Sequence, residues 1–295
     1  MKAASRMIIA CVCLFFMFVA LTGFSSPEGE KRKATWLWNT SLIASEPAQI
    51  LSFLKEQGVS LLYLQIDTKQ PLSTYQTFIR EARLGGVDVH ALGGSPAWGL
   101  ADKRQNVLAL VNWVHAYNQL AASDEKFTGI HLDIEPYLLP EWKADQPAVI
   151  RQWMQNVEAY TDLARQKPGL EIGCDIPFWL DKLALPDSPS TALGEWLIGK
   201  HDQVAIMSYR DRAEGPNSIT SLAAEELGWG DGLGKTIYLG VETKQSSEGD
   251  FVSFYEEGLQ QLNQEVAKLP ALVGNHPSYG GVAVHSYEHW KALKE

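Results

Sequence analysis

Gly129-Ile130-His131-Leu132-Asp133-Ile134-Glu135 is the segment from which the architecture follows. It is a short apolar run in which His131, Asp133 and Glu135 fall two apart and so share one face of a strand. Seven comparable runs accompany it in chain order: Thr35–Asn39, Leu61–Asp67, Val87–Gly93, Leu170–Ile176, Gln203–Ser208, Thr236–Glu242 and Gly281–Ser286. Between most of them the apolar period lengthens to that of a helix. Val107, Leu110, Val111, Val114 and Tyr117 form one such stripe. Val149, Ile150, Trp153, Val157 and Tyr160 form a second, and Phe251, Phe254, Tyr255, Leu259, Leu262 and Val266 a third. Ser45 ahead of Glu46-Pro47 reads as a helix cap and first turn.

Strands alternating with helices imply βα units around a parallel sheet, and eight of them close a barrel. The fold class is therefore α/β, a (β/α)8 TIM barrel formed as a single domain by residues 27–295. The rival, a doubly wound open sheet, lacks support because no glycine-rich phosphate loop follows the first run.

Residues 1–26 read as an export signal, with Lys2 and Arg6 before an uncharged run from Met7 to Leu21 and small or polar residues after it. Extending the run to Phe24 gives the alternative of an uncleaved anchor, the one expected membrane contact. A secreted or cell-surface, monomeric protein is expected. Loss of residues 1–26 removes two basic groups and no acid, taking the net charge from −10 to −12. Such an acidic surface argues against nucleic acid as a partner. Cys174 is then the one remaining cysteine of three, which excludes an internal disulfide and a cysteine-based zinc site.

Barrel enzymes carry their chemistry at the C-terminal strand ends. Here those ends read Trp38-Asn39, Gln65-Ile66-Asp67, Gly93-Gly94-Ser95, Asp133-Ile134-Glu135, Asp175, Met207-Ser208-Tyr209-Arg210-Asp211, Glu242 and His285-Ser286-Tyr287. Carboxylates, amides and aromatics gathered at these tips mark this face as the functional end of the barrel. If His131, Asp133 and Glu135 line the barrel interior, mutual repulsion is expected to raise one carboxyl until it donates a proton near neutrality. The blander reading is a buried hydrogen-bond network.

The segment Gly129–Glu135 resembles the strand-4 signature D-x-x-D-x-D-x-E of family 18 glycoside hydrolases, the chitinase-like barrels. Asp133 and Glu135 match its last two acids, while Thr128 and His131 stand at the other two. Met207-Ser208-Tyr209 is similar to the M-x-Y of strand 6, with Arg210 where an aspartate usually follows and Asp211 one place later. Leu92-Gly93-Gly94 resembles the family's S-x-G-G without the serine, and His285 and Tyr287 occupy the place of its strand-8 tryptophan.

The resemblance implies a glycosidase acting on an N-acetylhexosamine-containing polysaccharide or cell-wall glycan. Glu135 would be the general acid, Asp133 would orient a substrate acetamido group acting as internal nucleophile, and Tyr209 would hydrogen-bond that group. A competing scheme pairs Glu135 with Glu242 as nucleophile of a retaining glycosidase, the carboxyls about 5 Å apart. Expected substrate contacts are Trp38, Asn39, Gln65, Asp67, Trp98, His131, Tyr137, Asp175, Trp179, Arg210, Asp211, His285 and Tyr287. Trp98 and Trp179 are read as ligand-facing rings, and Trp36 as barrel packing. No cofactor and no metal are expected, although His131, Asp133 and His285 form the strongest metal-hydrolase alternative. A non-catalytic carbohydrate-binding barrel is the non-enzyme alternative.

Overall fold

The computed structural model describes residues 31–295. The export signal, its anchor alternative, Cys11 and Cys13 lie outside the described residues. Eight parallel strands close a barrel in strictly sequential order. They are β1 (Arg32–Leu37), β2 (Leu61–Gln65), β3 (Asp88–Gly93), β4 (Gly129–Leu132), β5 (Glu171–Pro177), β6 (Gln203–Met207), β7 (Thr236–Glu242) and β8 (Tyr279–His285). The open-sheet alternative is thereby excluded, since β1 pairs with both β2 and β8.

Each strand belongs to two cores at once. Ala34, Trp36, Leu61, Tyr63, Leu92, Ala205, Tyr238 and Ala283 form one cluster, with Trp38 packed against it. Their alternating neighbours, such as Leu37, Leu62, Leu64, Val204, Ile206 and Val284, belong to a larger cluster shared with the helices. Alternation of side chains across a strand makes the first cluster the barrel interior and the second the sheet–helix layer. Both sides of a parallel strand are buried, and this is why its apolar runs are nearly unbroken.

The helical layer follows the same logic. Helices α1 (Pro47–Glu56), α2 (Leu72–Leu84), α3 (Arg104–Leu120), α4 (Gln146–Arg165), α5 (Leu193–Lys200), α6 (Ala224–Leu233), α7 (Leu259–Val273) and α8 (Tyr287–Trp290) each follow a strand. The predicted stripes of α3 and α4 are buried at all ten positions. A fully buried aliphatic side chain contributes about 1.5–3 kcal/mol, so such a stripe anchors its helix without any cross-link. Asp145 caps α4 by accepting from Ala148 N at 3.0 Å, and Pro147 occupies its first turn.

Two expectations are corrected. Ser45 caps nothing: it ends a short helix, Leu42–Ser45, and its hydroxyl donates back to Ser41 O at 3.3 Å. The stripe from Phe251 is not one helix, because Gly258 at φ +89° breaks the chain before α7. Phe251 and Tyr255 are left near half exposed on the loop after β7. Among the described residues no helix is long and apolar enough to cross a membrane.

Candidate active site

β4 ends its ladder at Leu132, but the backbone continues extended: Asp133 N still donates to Gly93 O at 3.1 Å. Beyond Glu135 the chain turns into a short 3-10 segment, Pro136–Leu138. Asp133 and Glu135 therefore stand above the last ladder residue, at the mouth. Gly94 makes room for this exit, since a Cβ there would lie 1.8 Å from Asp133 O.

Beneath them the barrel wall is not free. His131 is fully buried, stacks on Tyr63 at 3.7 Å between ring centres, and its Nε2 lies 2.9 Å from Asp175 Oδ1. The other oxygen of Asp175 accepts from Trp36 Nε1 at 3.1 Å. His131 and Asp175 thus form an internal pair, and neither presents itself to a ligand as the sequence reading expected. Trp36 packs in the barrel as expected, with the added part of donor to Asp175.

Three carboxyls crowd this wall. Asp133 is held well above the usual carboxylate range, first by burial and then by the charges of Asp175 and Glu135. Asp175 is pushed up to about 8, again by burial, against the opposing Trp36 hydrogen bond. Glu135 is raised by burial and by Asp175, while the hydrogen bond from Tyr137 OH to its Oε2 pulls the other way. Repulsion is real, but withdrawal from water is the larger cause. His285 is the base whose charge acts on all three.

His285 is itself tied at both nitrogens. Nδ1 lies 3.0 Å from Glu242 Oε2, and Nε2 lies 3.0 Å from the Trp38 indole Nε1. An indole nitrogen only donates, so Nε2 accepts and Nδ1 carries the hydrogen. Glu242 Oε1 accepts from the backbone N–H groups of Thr243 and Lys244, each at 2.8 Å. Tyr209 completes the centre, its ring 6.1 Å from that of His285. Burial and the charges of Glu242, Asp175, Asp133 and Glu135 keep its phenol protonated, hence a donor.

The remaining expected contacts fall into three sets. Trp38, Asn39, Gln65, Asp67 and Trp98 line a groove of about 760 Å3 beside the mouth, on the β1–β3 side. Tyr137 and Trp179 meet edge to face at 4.9 Å over the β4 and β5 loops. Arg210 lies between the rings of Phe178 and Phe251, 5.4 and 5.2 Å from their centres, and donates to Asn217 Oδ1. Asp211 and Tyr287 do not join the site. The charges around Asp211 are those of Arg212, Glu265 and Arg210. Tyr287 is 1% exposed and packs edge-on against Phe53 under the helical layer, because α8 turns it outward from β8.

The metal alternative finds no geometry. Both nitrogens of His285 and Nε2 of His131 are engaged, and His131 Nδ1 faces Gly173, where a Cβ would lie 2.6 Å from it. Among the described residues no three acid, histidine or cysteine side chains converge to hold an ion. One contributor was missed by the sequence reading: Glu288 Oε1 accepts from the N–H of Trp38 and of Asn39, each at 2.8 Å, fixing the β1 tip. Its signal was position, three residues beyond a strand-end histidine.

No protein-family model matches the chain, and no curated protein matches it. Solved structures do. A chitinase from Bacteroides thetaiotaomicron superposes with a TM-score of 0.55 at 10% identity, over 90% of this chain and 94% of that one. A GH18 chitinase from Cycas revoluta, solved in complex with (GlcNAc)3, gives 0.52 at 17% over 88% and 95%. The PgaB (BpsB) glycoside hydrolase domain from Bordetella bronchiseptica gives 0.52 at 12% over 89% and 95%. At these identities the likeness is one of fold, a barrel similar to those of the chitinases.

Proposed function

We propose that this chain is an exported glycoside hydrolase that cleaves N-acetylhexosamine-containing polysaccharide or cell-wall glycan. The observation that carries the reading is the carboxyl cluster at the mouth: Glu135, part-exposed and held by Tyr137, stands with Asp133 and the buried Asp175, and all three are raised, first by burial. A carboxyl raised above its ordinary range holds its proton more readily, and a departing glycosidic oxygen needs that proton.

Glu135 donates that proton as the C1–O bond breaks. The acetamido oxygen of the same sugar forms a bond to C1, and Asp133 holds the acetamido N–H as positive charge spreads over the new ring. Tyr209 OH donates a hydrogen bond to the acetamido group and holds it beneath the ring. Water then attacks C1, Glu135 takes its proton, and the amide re-forms with the hexosamine released. The two-carboxylate alternative is not carried forward, because both oxygens of Glu242 already accept from His285 and the chain's own N–H groups. The groove lined by Trp38 and Trp98 supplies flat rings for neighbouring sugars, with Asn39, Gln65 and Asp67 for their hydroxyls.

Glu135→Gln is the test, on fluorescent GlcNAc oligomers. The expected result is a fall in kcat of about 10³-fold with oligomer binding retained. Hydrolysis undiminished in the variant would overturn the assignment. Wild type that binds oligomers and never cleaves them would instead make the barrel a carbohydrate-binding protein.

A further inference from the structure

We propose that Glu242 and His285 form a positioning relay that locks the Trp38 indole as the wall between the mouth and the neighbouring groove. The glycan is then gripped when His285 is neutral and loosened when it gains a proton. This rests on the reading that the mouth binds glycan.

Three observations carry it. The Trp38 ring is half-buried and lines the groove, so it is placed to stack on a sugar. Its backbone N–H is fixed by Glu288 Oε1 and its ring packs against the interior cluster, while the one hydrogen bond to the indole is Nε1–H to His285 Nε2 at 3.0 Å. That bond exists for one tautomer alone, and Glu242 selects it by accepting Nδ1–H while its other oxygen is pinned by two backbone donors.

Protonation breaks the lock, because Nε2–H would then face the indole N–H donor to donor. The groups facing His285 are Glu242 from β7, Asp175 from β5, Asp133 and Glu135 just after β4, Tyr209 after β6, Trp36 from β1 and Trp38 just after it. Burial disfavours its charge, but the Glu242 hydrogen bond and the surrounding carboxylates outweigh this and raise it above an ordinary histidine. Release therefore sets in at a higher pH than an ordinary histidine would impose. Chemistry and grip have opposite preferences: Glu135 needs its proton, and Trp38 needs His285 without one.

Glu242→Gln keeps the shape and reverses the tautomer. The amide has one acceptor oxygen; turned to the two backbone N–H groups, it leaves its NH2 against Nδ1, forcing the hydrogen to Nε2. With a fluorescent GlcNAc oligomer, the wild-type KM should rise about tenfold as pH falls through the His285 titration, with little change from this cause in kcat. Glu242→Gln and Trp38→Phe should each show the raised KM at all pH values, and the double variant should be no worse than either. In the free protein, the indole 1H–15N resonance of Trp38, assigned by its loss in Trp38→Phe, should titrate with pH in wild type and stay flat in Glu242→Gln. A titrating indole without cleavage of any oligomer keeps the lock and sinks the hydrolase reading. An active enzyme whose indole and KM ignore Glu242, or whose two variants add, overturns the relay.

Discussion

The barrel has two polar ends, and they are built on different terms. At the base, Arg32 bonds Asp88 at 2.8 Å and the Ser60 carbonyl at 2.6 Å, while Gln203 bonds Glu171 at 2.8 Å and Tyr63 at 3.2 Å. Charge there is met by a permanent cation and an amide. At the mouth Asp133, Glu135 and Asp175 share one titratable base, His285. Between the ends lies the apolar plug of Trp36, Tyr63, Leu92 and Tyr238. The base is balanced by a salt bridge and an amide; the mouth is balanced by protons. Mobile protons are what acid catalysis requires, so the comparison separates scaffold from chemistry.

The sharpest way to break the comparison uses two glycines, one at each end. A Cβ on Gly94 would meet Asp133 O at 1.8 Å, backbone against backbone. A Cβ on Gly129 would meet the ring of His90 at 2.5 Å, at the base. Gly94→Ala should displace Asp133 and Glu135 by a fraction of an ångström or more and cost about 10²-fold in kcat/KM on the GlcNAc oligomer. Gly129→Ala should lower stability by about 1–3 kcal/mol in a denaturant melt and leave kcat alone. Equal kinetic losses from both would mean that the two ends are not separable.

A second test follows the protons. Asp175 sits at about 8 in the folded chain against 3.8 when unperturbed, so the folded state holds this proton more tightly than the unfolded one. For an acid raised on folding, stability is greatest below about pH 4 and falls as pH climbs toward 8, by up to about 1.4 kcal/mol per unit. Wild-type Tm should therefore decline from pH 5 to 8, and Asp175→Asn should flatten that decline. The same variant removes the charge that helps to raise Asp133 and Glu135. The alkaline limb of kcat should move to lower pH. An unchanged slope and limb would remove Asp175 from the proton balance.

Much of this was legible in the sequence, for a reason particular to barrels. Period-2 alternation and strand ends are local, so the positions of Asp133, Glu135, Tyr209 and His285 at one mouth follow once eight strands are counted. Orientation around the ring is not local. That His131 would turn to Asp175, or that Glu242 would bond His285 and not face Glu135, depends on which strands stand side by side and on side-chain rotamers. Tyr287 was misread for the opposite reason, since a helix start one residue after Ser286 rotates it away from the strand's own parity. Glu288 escaped because its work is done on the backbone of β1, 250 residues earlier in the chain.

The smallest effect completes the contrast. Glu171 is an acid at the base, raised by burial with Arg32 opposing, and its side chain is 57% exposed. Gln203 Nε2 donates to it, and an amide in its place still offers an oxygen to that donor. Glu171→Gln should shift Tm by less than about 2 °C, because a half-solvated acid that loses its charge forfeits little. It should leave the pH profile of kcat where it was, the apolar plug and the neutral His90 standing between it and Glu135. A kcat limb that moved with Glu171 would show the two ends to be electrostatically one system, and the mouth's proton balance would then have to be redrawn to include the base.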